Sequence, residues 1–209
     1  MNPDDSIPTA GTFLNRYFLL RHGESRALQE GLIVGELSHG KSAYGLTPKG
    51  RKEVATSILK AMEDGLLKKV DLVISSPFLR TVETAEIAAK IIGAPIEIDD
   101  RLGERGFGKL ELTSIDNYAA VLDRDRASAS HKEWGVESAL EVLARAWKVI
   151  EDLEGKMKGC GIVLCTHADV MSILICGCLH QNLELHAEIG PLATAELREL
   201  VLRRSESVV

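Results

Sequence analysis

The chain has 209 residues, close to one domain at a prior of roughly 150 residues each, and its 45% hydrophobic and 27% charged content excludes both a fibrous repeat and a largely disordered polypeptide. Lys plus Arg number 25 against 31 Asp plus Glu, and the resulting net charge of −6 argues against broad binding to nucleic acid or to anionic membranes. No apolar run approaches the roughly 18 residues of a membrane span, Asp4 and Asp5 stand where a secretory leader carries Lys or Arg, and a cytoplasmic location is expected.

In chain order, residues 1–12 are polar, hold Pro3 and Pro8 and lack periodicity, which predicts a flexible arm; a single domain is expected over 13–209. Short apolar runs at 17–20, 72–75, 96–98, 162–165 and 195–202 predict buried strands. Residues 48–62 predict a helix capped by Thr47, with Pro48 in its first turn and Val54, Ile58, Leu59 and Met62 on one apolar face. A second helix is predicted over 78–92, closed by Gly93 and Pro95. The charge-rich stretch 113–132 shows no strand and predicts a helical insertion, a small cap spanning roughly 110–135. Residues 137–157 carry apolar positions at the helical period, and 169–179 form a shorter, nearly all-apolar helix. Cys160, Cys165, Cys176 and Cys178 lack the paired spacing of structural zinc sites and read as reduced core thiols. Strands alternating with helices predict an α/β fold, a three-layer sandwich with a mostly parallel central sheet. An edge strand within 191–201 is a candidate for pairing with a second copy as a homodimer.

Three predicted strands run into chemically similar residues: the first into Arg21 and His22, the second into Ser76, Pro77 and Arg80, and the fourth into Thr166 and His167. Ligands of open α/β sheets bind outside the carboxyl ends of strands, so these residues are candidates to converge. Taken singly, a histidine after a strand reads as a satisfied structural residue, and a strand-end arginine as a solvated one. Taken together, two guanidinium groups and two imidazoles repel one another unless an anion lies between them, and arginine forks suit phosphoryl oxygens. An imidazole can also attack phosphorus and form a covalent phosphohistidine. Gly23 and Ser25 extend the first motif, Gly23 as a position where a ligand can approach the backbone closely.

These motifs resemble the histidine phosphatase superfamily, in its phosphoglycerate mutase-like branch. The resemblance rests on Arg21-His22-Gly23-Glu24-Ser25, Leu46-Thr47-Pro48-Lys49-Gly50, the run from Ser75 through Arg80 to Ala85, the run from Arg101 through Glu104 to Gly108, Val136-Glu137-Ser138, and Cys165-Thr166-His167, and it covers most of 17–170. It implies that His22 is the nucleophile, that Arg21, Arg80 and His167 hold the transferring phosphoryl group with Ser25 and Gly23 beside them, and that Glu104 protonates the leaving alcohol and later activates water. Such a carboxyl works best with a pKa raised toward neutrality. Asp169 is a rival acid but reads better as a helix cap, and the Glu104 segment also has the composition of a solvated surface loop.

The chain departs from the family where an asparagine commonly follows the nucleophile, here Leu28, and where a glycine follows the second histidine, here Ala168. Relative to phosphoglycerate mutases it keeps Arg105 but has Phe107 for a tyrosine and Thr113-Ser114-Ile115 in the neighbourhood of a lysine, so the clamp for a substrate carboxylate is incomplete. The stretch from Glu104 to His167 also leaves less room for a water-excluding cap, which favours hydrolysis over phosphoryl transfer. The expected activity is that of a phosphomonoester hydrolase on a small phosphorylated substrate. The alternatives are a mutase-type phosphotransferase and a catalytically silent phosphate-binding protein. No cofactor is implied and no metal, because paired arginines repel a divalent cation. Specificity is expected from 113–132 and 31–44; Arg124, Arg126 and Lys132 read as a solvated helix face, and His39, His131, His180 and His186 as surface or core residues.

Overall fold

The structure is a computed structural model and describes residues 13–190 and 192–202; the arm expected over 1–12 lies outside the described residues. In chain order its main elements are β1 (Arg16–Arg21), α1 (Arg26–Gln29), α2 (Leu37–Gly40), α3 (Pro48–Glu63), β2 (Leu72–Ser75), α4 (Leu79–Ile92), β3 (Ile96–Ile98), α5 (Tyr118–Ala127), α6 (Ala139–Lys156), β4 (Gly161–Thr166), α7 (Ala168–Cys178) and β5 (Leu197–Leu200). Short 3-10 turns join several of them. The five strands form one sheet in the order β3-β2-β4-β1-β5, parallel except for β5, which runs antiparallel to β1.

Alternation along the strands divides the core between two faces of this sheet. Tyr17, Leu19, Ile74, Ile162 and Leu164 face α6 and α7 on one side. Phe18, Leu20, Val73, Val163 and Cys165 face α3 and α4 on the other. The central strands are therefore buried on both faces, which is why they read as continuous apolar runs.

The helix ends follow from capping chemistry. Thr47 Oγ1 accepts from Gly50 N at 3.0 Å, Gly93 closes α4 at φ 83°, and Ser138 with Glu141 forms a capping box at the start of α6. Two sequence expectations change. The buried stripe of α3 is Gly50, Val54, Ile58 and Ala61, whereas Leu59 and Met62 are 57% and 39% exposed. The strand at Ile96–Ile98 is exposed along its length, because it is an edge strand rather than an interior one. The four cysteines are free thiols, three of them buried and Cys160 partly exposed. Among the described residues no helix is long and apolar enough to cross a membrane.

Candidate active site

The parallel register stops β1, β2 and β4 level with one another: Leu20 and Ser75 both lie opposite Cys165, and Arg21 lies opposite Thr166. The next residues are His22, Ser76 and His167. His22 N donates to Thr166 O at 3.1 Å and Ser76 N to Cys165 O at 2.9 Å, so the backbone itself fixes where these side chains start. A cavity of about 120 Å³ lies at these strand ends, and its polar wall includes Arg21, His22, Ser25, Arg80, Glu104 and Asp169.

His22 is 3% exposed and its Nδ1 lies 2.8 Å from Gly23 O. A carbonyl only accepts, so Nδ1 carries the proton and Nε2 keeps its lone pair. Burial first, then the Arg80 and Arg21 charges, hold this imidazole well below its ordinary range, so the ring is neutral near neutral pH. His167 is tied at both nitrogens: Nδ1 accepts from Arg80 Nη2 at 3.1 Å, which leaves Nε2–H to donate to Ser76 Oγ at 2.8 Å. It is completely buried and is absent from the cavity wall. His167 thus orients Arg80, with its ring centroid 5.4 Å from that of His22.

Arg80 is buried, with Nη2 also donating to Val34 O at 2.9 Å, and its Nη1 has no acceptor. Arg21 Nη1 donates to Leu192 O, and its Nε has no acceptor. Burial lowers Arg80 to about 10, which leaves it cationic at neutrality. Buried donors are normally paired, so two acceptor-less guanidinium nitrogens on arginines that share a cavity wall with His22 are suited to an oxyanion. Thr84 Oγ1 accepts from Gly23 N at 3.3 Å and donates to Arg80 O at 2.7 Å, stitching the two motifs together.

Glu104 enters from the loop after β3. Its side chain is 13% exposed, which sets aside the solvated-loop reading, and its Oε2 lies 3.7 Å from Arg80 Nη2 and 3.5 Å from His167 Nδ1. Burial and then the neighbouring Asp169 carboxylate raise its pKa to about 7. Two arginines hold this loop. Arg145 of α6 donates to the carbonyls of Arg101, Gly103 and Glu104 at 2.6, 2.8 and 3.1 Å while pairing with Glu137. Arg105 turns away from the cavity, fully buried, and binds Asp125 of α5 through two parallel bonds of 2.7 and 2.8 Å. The Arg105 that the sequence matched to a substrate clamp is therefore a structural anchor here. Breaking a buried pair leaves an uncompensated charge, so Asp125→Ala is expected to cost about 3–5 kcal/mol, read as a lowered urea midpoint; an unchanged midpoint would show that the pair contributes nothing to stability.

Asp169 is not the cap of α7. The backbone of His167 takes that position, and Asp169, 4% exposed, forms part of the cavity wall with Oδ1 accepting from Tyr118 OH. Tyr118 and Asp125 were not singled out from the sequence; His131 and His186, read there as surface or core residues, pack around Asp125, with His186 fully buried. Spacing was the available signal: Tyr118, Val121 and Asp125 recur at intervals of three and four, which places them on one side of α5.

Ser25 is buried, lines the cavity and caps α1 by accepting from Leu28 N at 3.4 Å. Gly23 does not line it. A Cβ there would lie 2.5 Å from Gly50 O and 2.9 Å from Val54 Cγ2, so the residue must be glycine to let β1 meet α3, not to admit a ligand. Gly23→Ala should therefore destabilise the fold by roughly 1–3 kcal/mol; a melting temperature equal to that of the parent would contradict this packing account. Among the described residues no group of three or more His, Cys, Asp or Glu is placed to hold a metal ion.

A model of the histidine phosphatase superfamily (branch 1) matches residues 17–209. The chain belongs to the histidine phosphatase superfamily. Similar members include a Hydrogenobacter thermophilus protein provisionally named phosphoserine phosphatase 2, 33% identical over 47% of this chain and 44% of that one. The "Probable phosphoglycerate mutase GpmB" of Escherichia fergusonii is 37% identical over 48% of this chain and 42% of the relative. The matched stretch thus spans less than half the length of these curated relatives. A solved mycobacterial glucosyl-3-phosphoglycerate phosphatase in complex with VO3 superposes at a TM-score of 0.74, covering 88% of this chain and 91% of that one at 20% identity, which shows the shared histidine phosphatase fold.

Proposed function

We propose that this member of the superfamily hydrolyses phosphomonoesters through a phosphohistidine on His22. One observation carries the reading: a neutral imidazole with a proton-free Nε2 lines the same cavity as two arginines that each keep a buried nitrogen without an acceptor. In the first half-reaction Nε2 attacks phosphorus while the bond to the leaving oxygen breaks, and the oxygen takes the Glu104 proton. The ring is then cationic, and its Nδ1–H stays on Gly23 O. In the second half-reaction the Glu104 carboxylate takes a proton from water, whose oxygen displaces His22 from phosphorus. Arg21 and Arg80 hold the equatorial oxygens throughout. His167 acts by fixing the Arg80 fork.

The phosphatase names of two similar proteins agree with hydrolysis, and the mutase name of a third marks the competing outcome. The deciding assay follows inorganic phosphate and transfer products from an aryl phosphate and from 3-phosphoglycerate. Steady phosphate release from the aryl phosphate is expected. Mutase turnover with negligible phosphate release, or tight phosphate binding without turnover, would overturn the proposal.

A further inference from the structure

The cavity wall beyond His22 and the two arginines is of one kind. Leu28, Leu32, Ile33, Phe107 and Ile115 supply apolar surface, and among the described residues of this wall Arg21 and Arg80 are the only cations. The remaining charged side chains there are two carboxylates, Glu104 and Asp169. Asp169 is already committed: Oδ1 takes the Tyr118 hydroxyl, and Oδ2 has no donor. Its nearest cation, Arg105 Nη1, is 3.7 Å away and holds Asp125 with both of its terminal nitrogens. With both cavity arginines engaged by the phosphoryl group, a second anion on the substrate would meet like charge and an apolar wall.

We infer that the leaving-group side of this pocket accepts uncharged, apolar alcohols and rejects phosphomonoesters carrying a second negative charge, with Asp169 as the rejecting residue and Leu28 as part of the accepting wall. This rests on the phosphomonoester reading given above. Each buried methylene favours binding about fourfold. A carboxylate within a few ångströms of Asp169 in a partly desolvated site is disfavoured by more than that.

The test compares n-propyl phosphate with 2-carboxyethyl phosphate, matched alkyl esters that differ in a terminal methyl against a carboxylate. The parent enzyme should prefer the propyl ester in kcat/KM by at least roughly thirtyfold. Asp169→Asn keeps an acceptor for Tyr118 and should reduce that ratio by at least roughly fivefold. Leu28→Lys, at a half-buried position, should reduce it independently. Equal kcat/KM for the two esters, or a ratio that neither substitution moves, would overturn the inference. If neither ester turns over, calorimetric binding of both to His22→Ala reads the same preference: hydrolysis then fails as the function, and the selectivity stands or falls on the ratio of dissociation constants.

Discussion

His22→Ala should lower phosphate release from every monoester by at least roughly 10⁴-fold, the scale on which removal of a covalent nucleophile acts when the rest of the site persists. The substitution removes a ring that lines the cavity and leaves the backbone bond to Thr166 O and the Arg80–His167 contact in place, so circular dichroism and the urea midpoint should stay near the parent values. Other nearby groups are poor substitutes for the missing ring. His167 has both nitrogens engaged, and Ser76 Oγ, its partner, also accepts from Phe78 N at 3.4 Å. A variant that folds normally and retains more than about a hundredth of the parent rate would remove His22 from the nucleophile's role.

Glu104→Gln separates substrates by leaving group. An alkoxide leaves badly without a proton, so esters of simple alcohols should lose roughly 10²–10⁴-fold in kcat, whereas activated aryl phosphates should lose far less. The same group sets a pH limb. A carboxyl held at about 7 by burial and by Asp169 is protonated below that pH and loses its proton above it, so alkyl-ester turnover should fall as pH rises through about 7. His22, held well below the ordinary imidazole range, stays neutral across that window and adds no limb of its own there. In Glu104→Gln the alkaline fall should vanish, and in Asp169→Asn it should move to lower pH because one anion beside Glu104 is gone. Equal losses on alkyl and aryl esters, with the limb unchanged, would place the proton donor elsewhere.

The site was legible in the sequence to the extent that backbone fixes it. His22, Arg80 and His167 follow strands that stop in register, and a strand end followed by a polar motif is visible without coordinates. What was not legible depends on where side chains turn. Arg105 looked like a substrate clamp beside Glu104, but the partner that decides its direction, Asp125, lies on a helix of the insertion twenty residues away. Asp169 had the position of a cap, yet the extended backbone of His167 starts α7, which frees the carboxylate for Tyr118 and the cavity. His167 was expected beside the phosphoryl group, and its bonds to Arg80 and Ser76 could not be read from the sequence. The fold shows the same division: the apolar runs of β1, β2 and β4 identified them, but the hydrophobic composition of Ile96–Ile98 does not reveal that the strand lies at the sheet edge. Gly23 was predictable as glycine but not for the right reason, since its constraint comes from the carbonyl of Gly50 across the β1–α3 contact.

The central claim is that a caged oxyanion is passed to a reactive imidazole, and rapid-quench trapping tests it most directly. Mixing enzyme with excess aryl phosphate and quenching in base within milliseconds should yield a phosphoryl-enzyme that is stable in alkali, labile in acid and located on His22 by peptide mass spectrometry. Its formation and decay rates should account for steady-state turnover. Turnover at the full rate with no base-stable label on His22, or with the label on another residue, would contradict the account.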